Sequence, residues 1–136
     1  MKRIALIATL ALAAGAAFAA DVAAPTEEQV GPAFEKADKD KNGTVSLAEA
    51  KAFGIAAKFF AQANPDKDGS LDKKEFAAAI GLQFNAANPD KDGTLDPKEA
   101  KKAGVKSKKT FEAANPDKDG TLDMAEYLAA LIAQAK

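Results

Sequence analysis

The sequence predicts an all-α protein, a compact helical bundle with four acidic loops joined by short connecting helices. Three observations predict it. A twelve-residue stretch rich in Asp, Asn and Gly is written four times, starting at Asp38, Asn64, Asn88 and Asn115. The segments between copies, residues 50–63, 76–87 and 100–114, carry apolar residues at helical spacing. A phenylalanine (Phe34, Phe60, Phe84 or Phe111) stands four residues before each copy, one helical turn ahead of the loop and facing the core.

Each copy has Asp or Asn at its first, third and fifth positions, Gly at the sixth and Glu at the twelfth. The ligand candidates are Asp38, Asp40, Asn42, Thr44 and Glu49 in the first loop, and Asn64, Asp66, Asp68, Ser70, Asp72 and Glu75 in the second. The third offers Asn88, Asp90, Asp92, Thr94, Asp96 and Glu99, and the fourth Asn115, Asp117, Asp119, Thr121, Asp123 and Glu126. A hard cation takes about six to eight oxygens at roughly 2.3–2.6 Å, and one short loop supplies them only by wrapping the ion. Side chains at the first, third and fifth positions donate, then the backbone carbonyl at the seventh. The ninth donates directly or through water, and the terminal Glu closes the cage with both oxygens. Glycine at the sixth position supplies the positive φ of the sharp turn. The eighth residue is apolar in every copy (Val45, Leu71, Leu95, Leu122), as in loops that pair by a short antiparallel bridge, so four loops imply two pairs. The pattern is that of the EF-hand loop. Four solvated acidic linkers would not reproduce it completely four times. The expected architecture is an EF-hand helical bundle with up to four metal sites.

Composition narrows the chemistry. The chain has no Cys and no His, so zinc, copper, iron–sulfur and haem sites lose their usual ligands and oxygen-seeking metals remain. Thiol and imidazole catalysis lose their residues too, and no enzyme is expected. A formal charge of −1 gives no signal for nucleic acid. Of 20 acidic residues, the first loop holds three and each other loop four. Most of the negative charge therefore sits at ligand positions.

Residues 1–19 resemble a secretory signal peptide: basic Lys2 and Arg3, an apolar core from Ile4 to Ala16, and Ala17-Phe18-Ala19 as a small-x-small cleavage site. Cleavage is expected after Ala19, giving a periplasmic or secreted domain of residues 20–136 with no membrane span, a monomer. The mature chain keeps 17 basic and 20 acidic side chains, so filling four loops with divalent or trivalent ions reverses its net sign. Asp21 to Pro25 reads as a flexible leader. Thr26-x-x-Gln29 is a capping-box pattern, soon interrupted by Gly31-Pro32; alternatively Pro32 opens the short helix leading into the first loop.

The connectors have 14, 12 and 15 residues, too few for two ordinary helices and a linker. The helix leaving one loop must largely double as the helix entering the next, giving about three helices plus end pieces. A straight helix of about 18–22 Å would put consecutive loops at opposite ends and pair non-consecutive ones. Gly54, Gly81 and Gly104 each permit a kink or break, so the pairing stays open. The apolar faces are Leu47, Ala50 and Phe53 or Gly54; Phe76, Ile80 and Phe84; and Tyr127 or Leu128, Leu131 and Ile132. Lys98, Lys101, Lys102, Lys106, Lys108 and Lys109 make a basic connector, either a solvated face that offsets the acidic loops or a docking site for an acidic protein partner. Large apolar residues are sparse among the alanines, so folding is expected to draw on metal binding.

Three loops differ from a common calcium loop. Pro65, Pro89 and Pro116 stand second, and Asp72, Asp96 and Asp123 ninth. The proline stiffens the loop's start, and the added acid favours higher ion charge. Loops of N/D-P-D-x-D-G-T/S-L/I-D-x-x-E type, four in all, with connectors of about a dozen residues behind a signal peptide, resemble those of the lanmodulin family, the periplasmic lanthanide-binding proteins of methylotrophic bacteria. The resemblance spans essentially the whole mature chain. It implies fused EF-hands, metal-driven ordering, preference for lanthanide(III) over calcium, and a role near lanthanide-dependent alcohol dehydrogenases. This sequence departs from that family in opening three loops with Asn where Asp is usual. Its first loop, with neither the proline nor the ninth-position acid, reads as an ordinary calcium loop. Two functions follow: a periplasmic lanthanide(III) carrier or buffer, or a periplasmic calcium buffer or sensor. A calmodulin-like grip on target helices is the lesser version, because the mature chain keeps only Met124.

Overall fold

The structure is a computed structural model and describes residues 22–135. The signal-peptide expectation for residues 1–19 lies outside the described residues. In chain order the elements are α1 (Glu27–Ala37), β1 (Val45–Ser46), α2 (Leu47–Phe53), α3 (Ala57–Ala63), β2 (Ser70–Leu71), α4 (Lys73–Ala86), α5 (Pro97–Lys102), α6 (Lys108–Ala113) and α7 (Met124–Gln134). The described residues thus hold seven helices, not three with end pieces. No helix among them is long and apolar enough to cross a membrane.

The extra helices arise because two connectors break and one does not. After α2, Gly54 takes φ 120°, and the Ile55 N–H reaches back to the Ala50 carbonyl at 2.8 Å. After α5, Gly104 takes φ 98°, and the Val105 N–H reaches back to the Ala100 carbonyl at 2.9 Å. Both are helix stops of the Schellman kind, with a buried apolar residue after the glycine. Gly81 has no such partner and stays inside α4, which runs unbroken from the second loop to the third.

Consecutive loops therefore pair. The first and second join through β1 and β2, antiparallel, with Val45 opposite Leu71 and Ser46 opposite Ser70. The third and fourth join through an antiparallel bridge, Leu95 to Leu122, with both N–H···O contacts at 2.8 Å. All four eighth-position side chains are fully buried.

Several local readings change. The Thr26–Gln29 capping box forms, and α1 then runs straight through Gly31 and Pro32, so Pro32 lies inside the helix and does not open one. The leader is held: Asn85 accepts from Val22 N at 2.7 Å and donates to Val22 O at 2.8 Å. A Cβ on Gly81 would come within 2.9 Å of Ala24 Cα, so that glycine makes room for the leader. Leu47, the first residue of α2 and the tenth of the first loop, is 40% exposed, while Ala50 and Phe53 turn inward.

The core is aromatic at its centre. Phe76 stacks edge-on against Phe34, ring centroids 5.5 Å apart, and meets Phe53 at 5.6 Å. Phe84 meets Tyr127 edge-on at 5.6 Å. Phe34, Phe60, Phe84 and Phe111 are all buried. One polar group sits among them: Gln83, 2% exposed, on the inner face of α4. Its Nε2 donates to Gly54 O at 2.8 Å, Ala103 O at 2.7 Å and the Tyr127 hydroxyl at 2.9 Å, while its Oε1 accepts from Ala56 N at 2.8 Å. Burial pushes the Tyr127 phenol well above its ordinary pKa, so the hydroxyl stays a donor, to Ala103 O.

Candidate metal centres in the four loops

The loops share one backbone course. The N–H of the fourth residue returns to the carbonyl of the first, Lys41 to Asp38, Lys67 to Asn64, Lys91 to Asn88 and Lys118 to Asn115, at 3.0–3.1 Å. Each is a tight turn, and proline suits its second position. This accounts for Pro65, Pro89 and Pro116. The fourth residue is a lysine at φ 54–58° in every loop, a left-handed conformation that costs a non-glycine residue about 1 kcal/mol. Sequence reasoning missed it. The sixth-position glycines have φ 84–90° as expected.

Successive side chains then fold back on the backbone. Asp68 N donates to Asp66 Oδ1 at 3.3 Å and Ser70 N to Asp68 Oδ1 at 2.9 Å. The third and fourth loops repeat this through Asp90, Asp92 and Thr94, and through Asp117, Asp119 and Thr121. These bonds point carboxylate oxygens of the third and fifth residues inward.

At the first position stands a buried side chain: Asp38 at 6%, Asn64 at 6%, Asn88 at 1% and Asn115 at 7% exposure. In the second to fourth loops, the inward arm of the Asn amide lies 2.7 Å from the third-position Asp Oδ1, 3.1 Å from the fifth-position Oδ1, and 3.0–3.2 Å from the seventh-position carbonyl. Separations near 3 Å between neighbouring oxygens are those of a shell around a cation at roughly 2.3–2.6 Å. If that arm is the amide oxygen, four oxygens converge with no proton among them, and a hard cation fits. The first loop gathers carboxylates instead: Asp38, Asp40 and Glu49 each bring an oxygen within 4.8 Å of the others. Asp38 is held by Gly43 N at 2.9 Å and Asn42 N at 3.2 Å, and Thr44 N is held by Asn42 Oδ1 at 2.9 Å. Desolvation pushes the Asp40 carboxyl above its ordinary pKa, aided by the charges of Glu49 and Asp38 and opposed by the Asn42 N–H.

The ninth and twelfth residues have a second employment. Ser46, Asp72, Asp96 and Asp123 each cap the helix that leaves the loop, accepting from the backbone N–H of Glu49, Glu75, Glu99 and Glu126, and each Glu reaches back to the N–H of its cap. These are reciprocal capping boxes. One carboxylate oxygen of each Glu is committed to the cap. Burial pushes the Glu99 carboxyl up, with Asp96, Asp90 and Asp92 adding to it against the pull of the Asp96 N–H. For Glu126 the Asp123 N–H pulls down, but burial and the charges of Asp123, Asp117 and Asp119 outweigh it and the net shift is upward. A cation beside either group would relieve that crowding.

Beside the fourth loop lies a cleft of about 780 Å³, lined by Lys101, Lys106 and Lys108 of the basic connector, by Lys118 of the loop and by Glu112, around Val105 and Phe111; Lys108 pairs with Glu112 at 3.8 Å.

The EF hand family matches residues 32–53, which cover the second half of α1, the first loop and α2. No curated protein matches the chain. Among solved structures, a homolog of programmed cell death 6 protein from Leishmania major Friedlin is 20% identical over 75% of this chain and 73% of that chain, with a TM-score of 0.33. The family match thus falls on a helix–loop–helix, α1 to α2 around the first loop.

Proposed function

We propose that this chain is an exported metal-binding protein whose four EF-hand-type loops hold lanthanide(III) ions, calcium or both, acting as a periplasmic carrier, buffer or sensor. Binding, not catalysis, is its activity. The observation that carries the reading is the repeated convergence of oxygens on the buried first-position side chain of each loop. Asp38, Asp40 and Glu49 would hold the ion in the first loop. In the others Asn64, Asn88 and Asn115 would do so with the Asp pairs that follow, the carbonyls of Ser70, Thr94 and Thr121, and the free oxygens of Glu75, Glu99 and Glu126. Asp72, Asp96 and Asp123 would add charge from their capping positions. The donor set is entirely oxygen, which suits hard cations of either charge.

The proline and ninth-position Asp of the second to fourth loops, with the likeness of these loops to those of lanmodulins, support lanthanide(III) there. Calcium has its own support in the first loop, where the EF hand match falls and three carboxylates meet.

Titration with lanthanum and separately with calcium, followed by calorimetry and far-UV circular dichroism, tests the reading. Binding at lanthanum levels orders of magnitude below those needed for calcium supports a lanthanide carrier. Comparable midpoints make it a calcium protein, and no binding of either ion refutes both. Intact mass of the exported chain reads the cut after Ala19; retention of Met1 would remove the export proposal.

A further inference from the structure

Resting on that reading of the loops, we propose that Asn64, Asn88 and Asn115 are amide latches. Without a cation, the Nδ2 amino group stands in the cation's place and ties together the oxygens a cation would take. Binding requires the amide to turn over and present Oδ1.

The structure sets the amide oxygen inward, and the same side-chain position accommodates the other half of the switch when O and N exchange places. A buried amide must find partners for its two N–H groups as well as its oxygen. Turned with nitrogen inward, Asn88 Nδ2 donates toward Asp90 Oδ1 at 2.7 Å, Asp92 Oδ1 at 3.1 Å and Thr94 O at 3.0 Å, while its oxygen accepts from Gly93 N at 3.2 Å. Asn115 does the same with Asp117 at 2.7 Å, Asp119 at 3.1 Å, Thr121 O at 3.1 Å and Gly120 N at 3.1 Å. Asn64 reaches Asp66 at 2.7 Å, Asp68 at 3.1 Å and Ser70 O at 3.2 Å. Turned with oxygen inward, the same arm meets only acceptors. The side chain is satisfied one way by its own hydrogens and the other way only by an ion.

The latch is imperfect in a useful direction. Two amide hydrogens face three oxygens, so one contact is shared, whereas a cation attracts all three without directional demand. The unlatching cost is the same for every ion. It therefore raises the concentration at which these loops fill and leaves the ranking of ions to the carboxylates. Asn64, Asn88 and Asn115 set a threshold and keep the carboxylates from repelling one another below it. Asp38 has no amide hydrogens and cannot latch. Its oxygens accept from Gly43 N and Asn42 N, while Asp40 Oδ2 accepts from Asn42 Nδ2 at 3.4 Å and Glu49 Oε2 from Asp40 N at 3.3 Å. The first loop thus has no latch to open, and the other three must open theirs before an ion enters.

The test is nuclear magnetic resonance of the side-chain amides in the full-length, ¹⁵N-labelled protein, first in chelator and then with lanthanum, which is diamagnetic. The expected result is three Asn Nδ2H₂ pairs protected from hydrogen exchange in chelator, which shift and lose protection together with lanthanum binding. Free exchange of these pairs in chelator, with binding intact, overturns the latch and leaves the metal reading standing. Protected pairs with no binding of lanthanum or calcium at about millimolar levels overturn the metal reading, and with it the switch. Asn88→Asp gives a second readout. Loss of the latch and the added charge should tighten lanthanum binding at the third loop by about tenfold or more, while the metal-free protein melts earlier. Unchanged affinity would overturn the proposal, and the wild-type exchange measurement stands if this variant fails to fold.

Discussion

Gly54 and Gly104 meet back to back: a Cβ on Gly104 would lie 2.6 Å from the Gly54 carbonyl oxygen and 3.3 Å from Gln83 Nε2. Each glycine ends the outgoing helix of the first hand in its loop pair. Their contact therefore joins the hinge of one pair to the hinge of the other. Gln83, from the helix that links the pairs, donates to the Gly54 carbonyl and to that of Ala103, next to Gly104.

Gly104→Ala should be among the more damaging single methyl additions. The φ of 98° is left-handed, and the clash is with backbone, which cannot swing away. We expect a loss of about 2 kcal/mol or more in chemical denaturation. Gly31→Ala is the control: it sits inside α1 with nothing within 4 Å of the new Cβ, and should stabilise by about 0.5–1 kcal/mol.

Gln83→Leu should destabilise by about 2–4 kcal/mol, because it strips partners from buried carbonyls and from the Tyr127 hydroxyl together. Tyr127→Phe alone should cost about 1 kcal/mol. As the two share one hydrogen bond and a common acceptor, Ala103 O, the double variant should fall short of the sum by about 0.5 kcal/mol or more. Additive losses would mean that the two groups are energetically independent.

These residues also mark where the sequence was legible and where it was not. The four loop courses could be read because Asp, Asn and Gly recur at fixed spacing, and the eighth-position apolar residues foretold pairing. Which loops pair could not be read from connector length, because the answer turns on two backbone stops. An apolar residue follows all three glycines (Ile55, Leu82, Val105), and only the structure separates them: Ile55 and Val105 are buried, while Leu82 stays 36% exposed. Gln83 could have been suspected from its helical phase with Phe76, Ile80 and Phe84. Its partners could not, since three are backbone groups far along the chain. Asp-x-x-Glu at the end of the second, third and fourth loops is also a capping signature, but metal ligation overshadowed it. Left-handed lysines carry no sequence signal of their own.

Leu122→Ala should weaken the third and fourth loops together. Leu122 and Leu95 are both fully buried and exchange two backbone hydrogen bonds. Removing three carbons there should cost about 2–4 kcal/mol, and metal affinity at both loops should fall, read by calorimetry. Loss confined to the fourth loop would show that the bridge does not couple them.

Glu49 offers a way to separate the two employments of the twelfth residue. Its Oε1 accepts from Ser46 N at 2.8 Å, and its own N–H is capped by Ser46 Oγ at 3.2 Å. Glutamine can hold such a box as well as glutamate, but it brings no charge and cannot grip an ion with two equivalent oxygens. Glu49→Gln should therefore keep the metal-free helix content and melting temperature close to wild type, while calcium affinity at the first loop falls by about ten- to a hundredfold. Glu49→Ala removes both functions, so α2 should also lose about 1 kcal/mol of capping. Circular dichroism in chelator compares the helices, and calcium calorimetry compares the site. If both variants lose helix equally, Glu49 serves the cap by its charge, and the first loop's carboxylate cluster holds its helix before it holds a metal.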